Sequence, residues 1–151
     1  MNAALVPPAP SPPPLRAPSY RLTAPNSSTC ARVLRELVCC LLKVSGHAGL
    51  LDDARLCVSE VVTNVHRHTR TRLVVVDVSL GAERVTVAVY DDAAHKLPVV
   101  AKPGPDIPCG RGLALVHHCS DGWGATQYGG PIPSTKAVWF HFDLRRRGAA
   151  P

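Results

Sequence analysis

The chain has 151 residues, 46% of them hydrophobic and 19% charged, with a formal net charge of +6. This length supports one domain with a substantial core; no run of roughly 18 apolar residues and no basic start leading into an apolar segment is present, so neither a membrane span nor a secretory signal is expected and the protein reads as cytoplasmic. The positive charge is scattered, with Arg145, Arg146 and Arg147 at the tail, so no direct nucleic-acid role is expected, although a basic surface concentrates nucleotides and acidic proteins.

Along the chain, Pro7, Pro8, Pro10, Pro12, Pro13, Pro14 and Pro18 remove backbone donors and favour extended geometry, so residues 1–19 read as a disordered Pro-rich tail. Tyr20 to Thr23 suits a short strand. Ser27 or Ser28 is placed to cap a helix reaching about Lys43, with Cys30, Val33, Leu34, Leu37, Val38, Leu41 and Leu42 as its buried stripe. After Gly46 and Gly49, the residues Ala54, Cys57, Val58, Val61, Val62 and Val65 recur at helical spacing, which predicts a second amphipathic helix over about 52–69 with Asp52 and Asp53 at its favourable end. The β-branched runs 73–80 and 84–90 predict an antiparallel hairpin that delivers Asp91 at its end. Residues 92–109 contain several prolines, show no period and are too long for a tight connection, as a lid would be. Gly110-Arg111-Gly112 precedes a third helix from Leu113 to about Ser120, and two strands, 123–127 and 136–144, close a domain spanning 20–144. Residues 145–151 read as a basic disordered tail.

Glu60 and Asn64 lie one turn apart, so both project from one helix face, on the flank of the apolar stripe. A carboxylate there can orient or deprotonate an attacking hydroxyl or water, and a neutral amide oxygen suits a hard cation that also carries phosphate oxygens. Gly110 and Gly112 let backbone N–H groups approach phosphate, which the dipole of the following helix also favours. Asp91 at a strand end is placed to accept a hydrogen bond from the exocyclic amine of a purine, while Asp92 reads as a turn residue. Cys30, Cys39, Cys40, Cys57 and Cys119 fall on predicted helices and read as small hydrophobes, which leaves Cys109 as the thiol to watch. His66 and His68 point to different faces, and His117, His118 and Cys119 are adjacent rather than spaced for one ion, so neither group reads as a metal site. No P-loop or Rossmann glycine run is present.

Taken in order, these motifs resemble the compact bacterial anti-sigma factor serine kinases and their relatives with the ATP-binding fold of gyrase and sensor histidine kinases, over about Ser19 to Leu144. Ser59-Glu60-Val61-Val62-Thr63-Asn64 is similar to the N-box of that family, Asp91 to the start of its first aspartate motif, and Gly110-Arg111-Gly112-Leu113 to its second glycine motif. Trp123-Gly124 and Lys136-Ala137-Val138-Trp139-Phe140 resemble its closing strands. One departure stands out: where the family often has Asp-x-Gly-x-Gly, this chain reads Asp91-Asp92-Ala93-Ala94-His95.

The resemblance implies a Bergerat fold of the α/β class, a two-layer α+β sandwich whose mixed, mostly antiparallel sheet is covered on one face by helices. It implies ATP and Mg2+ as ligands. By position, Asn64 would ligate magnesium, Asp91 would contact adenine, and Glu60 would be the catalytic carboxylate that orients a partner's serine or threonine hydroxyl. Gly110, Arg111, Gly112 and Leu113 would hold phosphates under the lid, and Thr135 would take the family's late hydroxyl position. The implied function is that of a protein serine/threonine kinase regulating transcription by partner switching with a sigma factor or an anti-anti-sigma factor, with homodimers common among relatives. The alternative is a non-catalytic nucleotide-binding adapter that sequesters a protein partner. Histidine-kinase activity is not expected, because no dimerising phospho-acceptor hairpin accompanies the domain.

Overall fold

A computed structural model describes residues 17–98 and 111–148. Within it, alternation along the strands decides which face is buried. Val74, Val76 and Val78 of β2 (Leu73–Leu80) and Val85, Val87 and Val89 of β3 (Arg84–Asp91) all point the same way and are fully buried, and they pair in register as the expected hairpin. β1 (Ser19–Pro25) pairs with β2, β5 (Thr135–Asp143) with β3, and β4 (Gly122–Tyr128) with β5, giving the order β1-β2-β3-β5-β4. The sheet was expected to be mixed though mostly antiparallel, and among the described residues every pairing is antiparallel. The reason lies at Gly129 and Gly130, whose φ angles of 113° and 74° turn the chain back on itself, so that β5 returns against β4 and fits between it and β3.

Helices cover one face. α1 (Cys30–Val44), α2 (Leu51–His68) and α3 (Arg111–Cys119) pack their apolar sides onto the valine rows and onto Phe140 and Phe142, whose rings meet edge to face at 5.7 Å. In α2 all six residues of the expected stripe are buried. In α1 the stripe is narrower than expected: Cys30, Leu34, Val38 and Leu42 are buried, whereas Val33 and Leu37 remain 46% and 45% exposed. This helix sits at the end of the layer, against α2 and β1, so nothing further among the described residues covers its flank. Its cap residue is Thr29 rather than Ser27 or Ser28, with the Ser27 carbonyl accepting the Cys30 N–H at 3.1 Å.

The opposite sheet face closes on itself. A Cβ added to Gly124 would lie 2.5 Å from the Trp139 ring, and one on Gly122 would lie 2.5 Å from the His141 ring, so both aromatic side chains lie across glycines of the edge strand. Trp139 Nε1 donates to Thr126 Oγ1 at 3.2 Å.

The chain end also departs from expectation. Arg147, read from composition as part of a disordered tail, donates to Asp53, to Asp121 Oδ2 at 2.8 Å and to the Cys119 carbonyl at 2.6 Å, and stacks 4.7 Å over the Phe142 ring. The Pro-rich tail as far as Arg16, the lid from residue 99, Cys109 and Gly110 lie outside the described residues.

Candidate functional site

Glu60 and Asn64 emerge half-buried on the flank of α2, where that helix meets α3. A glycine marks the contact between the two helices: a Cβ on Gly112 would lie 2.5 Å from Glu60 Oε2 and 3.4 Å from its Cδ. Any side chain at Gly112 would therefore collide with the carboxylate, and its absence lets Glu60 rest against the first turn of α3. Free backbone N–H groups and the positive end of the helix dipole favour negative charge there. Arg111 opens α3. The Leu113 side chain is buried in the core, so what it can offer a ligand is its backbone N–H.

Beneath the helices, the last helix-facing positions of β3, β5 and β4 are polar where the earlier ones on these strands are apolar. Asp91 on β3 and Gln127 on β4 are both Cα partners of Lys136 on β5. Asp91 Oδ1 accepts the Lys136 ammonium at 2.7 Å and the Ala93 N–H at 2.8 Å, while Lys136 also donates to the Ala93 carbonyl at 2.9 Å and Gln127 to the Ala94 carbonyl at 2.7 Å. The side chains of the pair are 5% (Lys136) and 1% (Asp91) exposed. These bonds clamp the turn in which alanines stand for glycines. No described residue other than glycine has a positive φ, so the turn closes without the left-handed backbone those glycines would permit.

Thr135 does not join this cluster. It starts β5 one residue before Lys136, and alternation turns it to the sheet face away from the helices, opposite Tyr128. Lys136 holds the helix-facing place instead. Asp92 is exposed, as a turn residue would be.

Two of the histidine candidates have structural partners. His66 Nδ1 is 2.8 Å from Asn26 Oδ1, and His117 Nδ1 accepts from Trp123 Nε1 at 3.2 Å. Burial pushes the Cys57 thiol up to about 12 and raises Cys30, Cys39 and Cys119, which makes them inert at neutral pH. Among the described residues no group of three His, Cys, Asp or Glu side chains could hold a metal by itself. A magnesium ion that takes most of its ligands from phosphate and water needs no such group, and the half-buried amide of Asn64 beside a half-buried carboxylate fits that kind of shared site.

Sequence reasoning missed Lys136 and Arg147. Alternation could have found the first, because Lys136, Val138, Phe140 and Phe142 share one parity and the last three are plainly core. Nothing local marks the second.

A helix-covered antiparallel sheet with an acid and an amide on the middle helix, a glycine at the start of the next and an aspartate at a strand end defines a Bergerat-type nucleotide domain. The model of the histidine kinase-like ATPase domain matches residues 23–130, and the chain belongs to this family, with ATP as the ligand that membership implies. The match ends before β5 and so does not reach Lys136. No curated protein matches the chain. No helix among the described residues is long and apolar enough to cross a membrane.

Proposed function

We propose that the protein is an ATP-dependent protein serine/threonine kinase that regulates transcription by partner switching, acting on an anti-anti-sigma factor and binding the sigma factor it releases. One observation carries this reading: the Glu60 carboxylate rests against the first turn of α3, one helical turn from Asn64, in a domain of the ATPase family. Phosphoryl transfer asks a protein for positioning and charge neutralisation more than for covalent chemistry.

In this reading Glu60 orients or deprotonates the partner's hydroxyl. Asn64 offers its amide oxygen to Mg2+, which when bound supplies charge neutralisation at the phosphates. The N–H groups of Gly112 and Leu113 take phosphate oxygens, with Gly110 and Arg111 completing that side, and Asp91 faces the base. Incubation with γ-labelled ATP and the anti-anti-sigma protein encoded nearest to it should label that protein, and Glu60→Ala should cut the transfer by about 10²-fold or more.

A second reading rests on a separate observation. Asp91 is already engaged by Lys136 and by Ala93, which favours an adapter whose pocket sets conformation without transfer. Firm ATP binding with no labelling of any cognate protein would support the adapter; no uptake of Mg-ATP at millimolar concentration would overturn both.

A further inference from the structure

The pair Asp91 and Lys136 is an expensive way to hold a turn. Burying two charges returns little net stability compared with apolar side chains of equal volume, and the preceding helix-facing rows of the same strands use apolar side chains alone. Its bonding is also one-sided. Among the described residues both hydrogen bonds to the carboxylate end on Oδ1 and neither on Oδ2, and the two acceptors, Asp91 Oδ1 and the Ala93 carbonyl, use two of the three ammonium hydrogens. An acceptor oxygen and a donor hydrogen therefore stand side by side at the end of the sheet where the nucleotide reading above puts the base.

We propose that Lys136 is a specificity-determining residue of the nucleotide site, reading the base edge together with Asp91. Asp91 Oδ2 accepts from the amino group on C6 of adenine, and the remaining Lys136 hydrogen is donated to the neighbouring ring nitrogen, N1. Adenine presents a donor beside an acceptor, the complement of this pair. Hypoxanthine and guanine present a carbonyl at C6 and an N–H at N1, so in the same register both contacts meet like against like. Because Lys136 and the Ala93 N–H both hold Oδ1, the carboxylate is fixed while Oδ2 keeps its acceptor capacity, which compensates for the lost adaptability of a turn built from alanines. The inference rests on the nucleotide reading above and adds to it which atoms of the base are read.

Calorimetric titration of the whole protein with Mg-ATP, with Mg-1-deaza-ATP, in which N1 is replaced by C–H, and with Mg-ITP tests it. Wild type should bind ATP about ten- to a hundredfold more tightly than either analogue, the range expected for losing a hydrogen bond to a charged partner. Lys136→Met should bring ATP and 1-deaza-ATP to the same affinity, and Lys136→Arg, which keeps a donor, should restore a difference. A purely structural lysine would weaken all three nucleotides together and leave their ratios unchanged, which overturns the inference. Equal binding of ATP and 1-deaza-ATP by wild type overturns it without any variant, so the result stands even if Lys136→Met does not fold. Failure of wild type to take up ATP at all would sink the nucleotide reading itself, a distinguishable outcome.

Discussion

Replacing one Gly112 hydrogen by a methyl group would put a carbon 2.5 Å from Glu60 Oε2, closer than such atoms can sit, while Glu60 Cβ at 3.5 Å would be an ordinary contact. The nearest atom is the free end of a flexible side chain, so the fold can give way by swinging the carboxylate aside. On the proposed kinase reading, Gly112→Ala should therefore leave the melting temperature nearly unchanged while lowering phosphoryl transfer by about 10²-fold, the usual cost of moving a reacting group by about 1 Å. Parallel thermal melts and transfer assays check the split; an equal loss in both would place the damage in folding. The Glu60 and Asn64 pair was legible because helical spacing alone fixes which residues share a face. Lys136 shares the parity of Val138, Phe140 and Phe142, which marks its face, but the partner that explains a buried lysine there appears only with the register opposite Asp91.

At the level of elements, β4 and β5 keep a narrow outer face by laying aromatic rings over glycines, and that arrangement buries a titratable group. His141 Nδ1 is buried with no hydrogen-bond partner among the described residues, and desolvation, aided by Arg84, holds its imidazole below the ordinary 6.5. A histidine with a lowered folded pKa binds its proton more readily when unfolded. Its share of stability is thus complete above about pH 6.5 and is lost as pH falls through the folded value. Denaturant melts should show wild type losing stability between pH 7 and pH 5, and His141→Phe, with a ring of similar breadth that cannot be protonated, should flatten that slope. An unchanged slope would assign the acid sensitivity elsewhere. Most elements could be read from the sequence, because valine alternation and helical spacing are local. The α1 stripe was overdrawn, since Val33 and Leu37 are apolar and correctly spaced, and only the position of α1 at the end of the helical layer leaves them uncovered.

Across the whole molecule, one side chain ties together parts of the chain that are far apart in sequence. Arg147 joins Asp53 in the first turn of α2, the Cys119 carbonyl at the end of α3, Asp121 in the turn before β4 and the Phe142 ring on β5. This closure was illegible in advance because its partners lie up to 94 residues away and no local pattern announces a long-range ion pair. Its position matters for the site, since it anchors the two helices that bring Glu60 against Gly112 at the ends away from that contact. Arg147→Ala would strip two carboxylates of their partner; because Asp53 is partly exposed, the loss should be about 1–3 kcal/mol rather than the full cost of breaking a buried pair. Burial by itself would raise the Asp121 carboxyl, but the Arg147 guanidinium and the Asp143 N–H outweigh it and hold it below the ordinary 3.8. A carboxyl lowered in this way contributes fully above its unfolded value and loses that contribution as pH falls through the folded one. The stability difference between wild type and Arg147→Ala, measured by urea unfolding, should therefore be constant from pH 7 to about pH 5 and shrink below about pH 4, and a difference that stayed the same down to pH 2 would show that Arg147 acts through packing on Phe142 instead of through Asp121.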